Sequence, residues 1–229
     1  MKAKFTFLGI IIAFLLLLPA KGIGQYRSFI LGVKAGPSIS WLKPINKNYD
    51  SEGARVGFNW GITSEVYFAK NYALLTGLTF QYLNGSLSYS DLRSSTPVLL
   101  HRDYRFRYLE IPAVLKLKTN QMGEFRYFGQ IGLGLGIRMT SKGRDEYTLN
   151  NQTFLVDFEN IDSQTRLFKT SMIIGAGVEY PFDNNTAAVL SLNFNNGFNN
   201  VLKGKNSVNQ STDHEARANF IEVSLGLMF

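Results

Sequence analysis

The strongest constraint on this chain is the segment Tyr104–Arg138, YRFRYLEIPAVLKLKTNQMGEFRYFGQIGLGLGIR, in which every second residue is apolar. Two such runs are separated by one short polar turn, Thr119-Asn120-Gln121-Met122-Gly123. In the first, Leu109, Ile111, Ala113, Leu115 and Leu117 share one side of an extended chain, with Tyr108, Glu110, Pro112, Val114 and Lys116 on the other. In the second, Tyr127, Gly129, Ile131, Leu133, Leu135 and Ile137 oppose Arg126, Phe128, Gln130, Gly132, Gly134, Gly136 and Arg138. A period of two means strands, because successive side chains point to opposite faces. The runs exceed the usual soluble strand of about five or six residues and match the roughly 9–11 tilted residues that cross a bilayer. The second face mixes charge with glycine and aromatic rings, as the inner wall of a small membrane barrel does.

The chain begins with Lys2 and Lys4, an apolar core from Phe5 to Leu18, and small residues around Gly22-Ile23-Gly24. That layout is a secretory signal peptide over residues 1–24, too short in its core for a transmembrane helix, with Gln25 opening the mature barrel domain, residues 25–229. Loss of Lys2, Lys4 and Lys21 lowers the formal charge from +7 to +4, too small a balance to argue for nucleic acid as a partner. The absence of cysteine excludes a disulfide framework and a lipid-modified cysteine anchor.

Eight strands are expected after the signal: Phe29–Ser40, Arg55–Ala69, Tyr72–Tyr89, the two runs above, Arg166–Tyr180, Thr186–Asn196 and Glu215–Phe229. Short turns fall at Lys70-Asn71, Thr119–Gly123 and Pro181–Asn185, while Trp41–Ala54, Ser90–Leu100, Ser141–Thr165 and Gly197–His214 read as long loops. Alternating short and long connections put the turns on one rim and the loops on the other, as in outer-membrane barrels and unlike a β-sandwich. The expected fold is therefore all-β: an eight-stranded antiparallel up-and-down transmembrane barrel. Ten strands are possible if Tyr147–Val156 adds a hairpin to the wall, but Arg144, Asp145, Glu146 and Asp157 would then meet lipid, which favours a hairpin projecting above it.

With the apolar faces toward lipid, the inner wall carries Lys34, Lys116, Arg126 and Arg138 against Glu65, Glu110, Glu179 and Glu222. An eight-stranded barrel is only wide enough for side chains to fill, and an unpaired buried charge costs several kcal/mol, so these groups are expected to pair in a plugged lumen. A narrow wet passage is the alternative. Trp41, Tyr49, Trp60, Tyr67, Phe68, Tyr72, Tyr104, Tyr127, Tyr180, Phe182 and Phe229 cluster near strand ends and are expected to form interfacial girdles. Arg105 and Arg107 share the apolar face of their strand, so either they stand above the hydrocarbon or a bulge shifts the register.

No cofactor, metal or catalytic site is expected, and the chain is read as a non-enzyme. Gly132-Leu133-Gly134-Leu135-Gly136 has the wrong spacing for a dinucleotide loop and no helix pattern after it. The two histidines, His101 and His214, lie in or beside different loops without a nucleophile motif. No EF-hand spacing organises Asp157, Asp162 or Asp213 for calcium.

At Tyr108-Leu109-Glu110-Ile111-Pro112, then Leu115-Lys116-Leu117-Lys118, then Tyr127-Phe128-Gly129-Gln130-Ile131-Gly132-Leu133-Gly134, the chain resembles the PorT-like outer-membrane β-barrel family. Its terminal Phe229 looks like the insertion signal read by the barrel-assembly machinery of Gram-negative outer membranes. The resemblance implies that fold and that location, with outer-membrane lipid as the surroundings. Some family members serve a protein-export machine. The expected function is a structural or loop-presenting binding scaffold, with an accessory role among secretion-complex subunits, or a narrow small-solute channel, as alternatives.

Overall fold

The computed structural model describes residues 29–183 and 186–229. The expected signal peptide and its cleavage point before Gln25 lie outside the described residues. Among them, no helix is long and apolar enough to cross a membrane. The strands are β1 (Phe29–Pro44), β2 (Tyr49–Ala69), β3 (Tyr72–Arg93), β4 (Thr96–Lys118), β5 (Arg126–Leu149), β6 (Gln152–Asn160), β7 (Phe168–Pro181), β8 (Ala187–Gly197) and β9 (Ala216–Met228). Alternation sorts their side chains: Leu31, Val33, Ile62, Leu133 and Leu225 stand outward and exposed, while Glu65, Lys116 and Tyr108 are buried inside.

Every neighbouring pair is antiparallel, and eight strands close into a ring in the order β1-β2-β3-β4-β5-β7-β8-β9, with β9 returning to β1. The start of β1 meets the last residue of the chain on the turn rim, where the Leu31 and Phe229 backbones exchange hydrogen bonds of 2.8 and 3.2 Å. The sixth strand stands outside the ring. Because β7 starts only at Phe168, opposite Ile137, the upper edge of β5 from Lys142 to Leu149 is free to pair with β6 instead. The Tyr147–Val156 hairpin thus projects above the wall, and the ring holds eight strands.

Three of the four expected long loops are corrected to strand. Trp41–Ala54 shrinks to a turn between Pro44 and Tyr49, Ser90–Leu100 to a two-residue turn at Ser94-Ser95, and Ser141–Leu149 continues β5 to a turn at Asn150-Asn151. Both two-residue turns have positive φ at each position (50° and 66°; 51° and 62°), the type I′ geometry whose twist matches that of a hairpin. Strands β3, β4 and β5 run 22, 23 and 24 residues, against the roughly 9–11 needed to span lipid. The surplus is stable in water because each hairpin satisfies its own backbone groups. Of the expected loop Gly197–His214, Gly197 ends β8 and the rest stays irregular as far as β9.

One bulge matters for the site. The register steps from Arg107 opposite Thr140 to Tyr108 opposite Arg138, leaving Met139 as the extra residue on β5. Below it even-numbered residues of β5 face inward, as Phe128 and Gln130 do; above it Ser141 and Asp145 do. Arg105 and Arg107 on β4 keep their outward orientation, stacked over the Phe158 ring at 3.7 Å and the Tyr82 ring at 5.4 Å. Tight curvature has its own signature at two glycines. A Cβ on Gly36 would lie 1.9 Å from the Val223 carbonyl oxygen, and Gly77, at φ +145°, would put one 2.2 Å from that of Ile62.

Aromatic rings ring both ends of the apolar belt. On the turn side Phe68 stacks on Tyr72, and Tyr180 meets Phe125 and Phe182; toward the loop side Trp60 stacks on Phe80 at 4.5 Å and Trp41 on Phe194 at 6.3 Å. Three rings expected in these girdles are inside instead. Tyr49 and Tyr104 are buried in the mouth of the barrel, and Tyr67 turns into the lumen. Their strand parity is inward, and nearness to a strand end does not override it.

Candidate functional site

The interior of the barrel is the place where this sequence concentrates charge, and it divides into levels. Nearest the turn rim, Lys116 and Lys118 of β4, two residues apart and so on one face, reach across to Glu65 of β2 and Glu179 of β7. Lys116 Nζ lies 2.5 Å from Glu65 and 2.6 Å from Glu179, and Lys118 Nζ 2.6 and 2.7 Å from the same pair. Tyr67 donates to Glu65 at 2.5 Å, and its hydroxyl also meets the Lys118 ammonium. Lys116 sits 3.9 Å above the Phe128 ring. Two cations bridge two carboxylates, so neither carboxylate is left without a partner in a space that water barely enters. Beside them Phe128, Val189 and Met228, with Ile30, form a small apolar cluster.

At mid-height the pairs separate. Lys34 of β1 donates to Glu222 of β9 at 3.1 Å, and Asn59 Nδ2 holds the other oxygen of Glu222 at 2.6 Å. Lys169 of β7 donates to Glu110 of β4 and to Gln81 of β3, both at 2.9 Å, and is fully buried. Gln130, Asn193, Ser191 and Ser224 complete a hydrogen-bonded wall between them. Two cavities flank Lys34, of about 50 Å³ and 30 Å³. That is room for a few water molecules and for no hydrated solute.

Six of the eight charges expected inside stand there: Lys34 pairs with Glu222 and Lys116 with Glu65 and Glu179, while Glu110 pairs with Lys169. Arg126 faces the same way as Phe128 but sits at the end of the wall and is exposed. Arg138 lies at the bulge and turns to the loop side, where its Nη1 donates to the Asp162 and Thr165 carbonyl oxygens at 2.7 and 2.6 Å, pinning the short 3-10 helix Asp162–Gln164. Their places are taken by Lys118 and Lys169, which sequence reasoning missed. Both share strand parity with a residue already read as inward, Lys116 and Glu179 respectively, so counting by two would have found them. Phe229 is half-exposed on the turn rim, beside Leu31.

Above the charges the lumen turns apolar. Phe106, Tyr108, Leu83, Leu87, Leu42 and Phe220 fill the bore and are almost fully buried. The β8–β9 connection folds inward over them, seating Val201 and Leu202 in the same cluster. It is tied down by backbone bonds from Arg166 to Val201 (2.8 Å) and Lys203 to Gln164 (2.8 Å), and by Asn206, which donates to the Tyr49 hydroxyl and the Ser90 carbonyl. On top, Arg102 grips Asp145 through two bonds of 2.5 and 2.6 Å, with Arg93 adding a third. His214 packs between Tyr49 and Tyr89, its Nδ1 2.9 Å from the Tyr49 hydroxyl, and burial and the Arg102 charge both push its pKa down. His101, on the outer surface, meets Glu52. Among the described residues no group of three acidic, histidine or cysteine side chains is placed to hold a metal ion.

A closed antiparallel ring with an oily exterior and an ion-paired, blocked interior defines a small integral membrane β-barrel. Residues 23–203 match the family model described as outer membrane protein beta-barrel domain, and the chain belongs to that family, which places it in the Gram-negative outer membrane. No curated protein matches the sequence. Among solved structures it is similar to Neisserial surface protein A (13% identity, 88% of this chain and 96% of that one, TM-score 0.48). It is also similar to OprG from Pseudomonas aeruginosa (10% identity, 89% and 97%, TM-score 0.46). The N-terminal β-barrel domain of Pseudomonas aeruginosa OprF is a further likeness (12% identity, 90% and 100%, TM-score 0.38).

Proposed function

We propose that this protein is a non-conducting, non-enzymatic outer-membrane scaffold that presents stiff hairpins above the lipid. The observation that carries the reading is the double block of the bore: paired charges beside an apolar cluster at one level, and packed rings under a folded-in connection at the other. Opening it would expose ionised groups whose attraction to each other now offsets their lost hydration. Insertion relies on the barrel-assembly machinery reading Phe229, after export by the amino-terminal signal. In a planar bilayer, purified protein is expected to give no conductance steps; steady small-ion current through the wild type would replace the scaffold with the channel reading.

A second reading, as an accessory subunit of a PorT-type export complex, has one observation in its favour. Strand β6 has a single neighbour, and its free edge carries exposed Phe154, Leu155 and Val156 above the lipid, a surface suited to a partner strand. Affinity purification from native membranes separates the two. Recovery of the barrel alone supports the scaffold, and stoichiometric recovery of export components supports the subunit.

A further inference from the structure

The outer face of the wall, just beyond the apolar belt, carries a cleft of about 320 Å³ that no part of the closed lumen explains. It lies across β2 to β6 and is lined by Arg55, Val56, Asp103, Arg105, Arg144 and Phe158. Asp103 organises the cations. Its Oδ2 accepts from Arg144 Nη2 at 2.6 Å, and its Oδ1 accepts from Arg55 Nη2 at 3.4 Å and from the Ser86 hydroxyl. Ser86 Oγ in turn accepts from Arg55 Nε at 3.0 Å. With both its oxygens engaged, the carboxylate splays two guanidinium groups to either side. Among the described residues, the Nη1 groups of Arg55 and Arg144 have no hydrogen-bond partner.

Among the described residues Arg105 has no acidic partner; its guanidinium stands over the Phe158 ring at 3.7 Å, and Arg144 approaches the same ring at 5.2 Å. Within the lining, three arginines face one carboxylate, a local excess of positive charge; at the rim exposed Lys142, the register neighbour of Arg105, stands with Asp157 and Glu159 on either side of Phe158. Planar guanidinium forks are the side chains best matched to a phosphate. The lower lip of the cleft is apolar: Val56 is 74% exposed, the most exposed large hydrophobic among the described residues. A free inorganic anion has no use for that lip. A lipid has.

We propose that this cleft binds the phosphate of a phosphorylated glycolipid in the surrounding leaflet, with Arg55, Arg105 and Arg144 on the phosphate and Val56 against the lipid's apolar part. Arg105 is the cleanest probe, because it contributes charge to the cleft without holding Asp103. Full-length mature protein, wild type and variants, is refolded in detergent and titrated with diphosphoryl lipid A, fully dephosphorylated lipid A and inorganic phosphate, following the unfolding temperature and direct binding. Arg217→Gln, on β9 across the barrel, is the control for diffuse charge.

Wild type is expected to bind the diphosphorylated lipid in a salt-sensitive way, Arg105→Gln about tenfold more weakly, and Arg105→Gln/Arg144→Gln weaker still, with Arg217→Gln unchanged. Equal binding of the dephosphorylated lipid, an unaffected Arg105→Gln, or an equal loss in Arg217→Gln would overturn the site. Saturation by inorganic phosphate at the same concentration would overturn its assignment to lipid. Because the conductance and purification experiments do not involve this cleft, failure here leaves the scaffold reading standing.

Discussion

The two ends of the lumen are closed by opposite chemistry. Toward the turn rim the seal is ionic: Lys116 and Lys118 strung between Glu65 and Glu179, with almost no solvent contact. Toward the loop rim it is a small hydrophobic core, Phe106, Leu83, Leu87, Leu202 and their neighbours, with no charge among them. The difference follows from what surrounds each level. Within the lipid, the belt already consumes the apolar residues on the outward face, and the inward face is left with polar groups that must satisfy one another. Above the lipid the outward face is wet, and the inward face can be oily as in any soluble domain. The mouth is in effect a soluble β-domain built on a membrane barrel.

This contrast makes a ranked set of expectations. The largest concerns the ionic seal. Lys116→Met together with Lys118→Met strands Glu65 and Glu179 without a cation, and breaking a buried ion pair from one side costs about 3–5 kcal/mol. Urea unfolding in lipid vesicles should show a loss of at least that size, and adding Glu65→Gln with Glu179→Gln should return much of it. A double lysine variant with the wild-type midpoint would mean the seal is not ionic. For the mouth the matching test is Leu202→Ala, where loss of a fully buried leucine costs about 2–4 kcal/mol through the cavity it leaves. No charge substitution should rescue it, and it should still fail to conduct, since the lower seal is untouched.

Lys34→Met gives a third, smaller effect that sharpens the comparison within the ionic half. Lys34 is about a quarter exposed (24%), and Glu222 keeps its bond from Asn59, so about 1–2 kcal/mol is expected by the same unfolding measurement. A loss as large as that of the double lysine variant would show that burial does not grade these pairs.

How much of this could be read from residues alone divides along the same line. Alternation located every wall strand and told which face is oily, because lipid imposes the period of two over the whole belt. It also brought six of the eight interior charges to the right face. Depth was the missing quantity: Arg126 and Arg138 have inward parity below the bulge, yet one ends at the rim and the other at the mouth. The bulge at Met139 carries no residue signal, and it reverses parity for the rest of β5. Above the lipid the reading lapsed for a physical reason. Ser94-Ser95 is not the asparagine–glycine pair that usually announces a tight hairpin, and strands rich in Ser, Asp and Arg look like loop when no bilayer demands an apolar face. The arginine cleft was half visible. Arg105 and Arg107 stood out as misfits on an apolar face, but Arg55, Arg144 and Phe158 come together with Arg105 only through strand register.

The smallest effect tests whether the mouth behaves as a soluble core should toward protons. His214 is enclosed by Tyr49 and Tyr89, with Arg102 and Asp91 among the charges near it and Asp213 beside it in the chain. Burial comes first in lowering its pKa below the ordinary 6.5, with the Arg102 charge acting in the same direction, while Asp91, Asp213 and the Lys205 backbone oppose them. A depressed folded value means that the unfolded chain takes up the proton first. The contribution is therefore complete above pH 6.5 and is lost as pH falls through the folded value. Unfolding midpoints measured from pH 7.5 down to 5 should decline in wild type and decline less in His214→Gln. The lower seal lies at the other end of the lumen from His214, so Lys116→Met/Lys118→Met should keep the wild-type slope from a lower starting point; a flattened slope in that variant would tie the two ends of the lumen together.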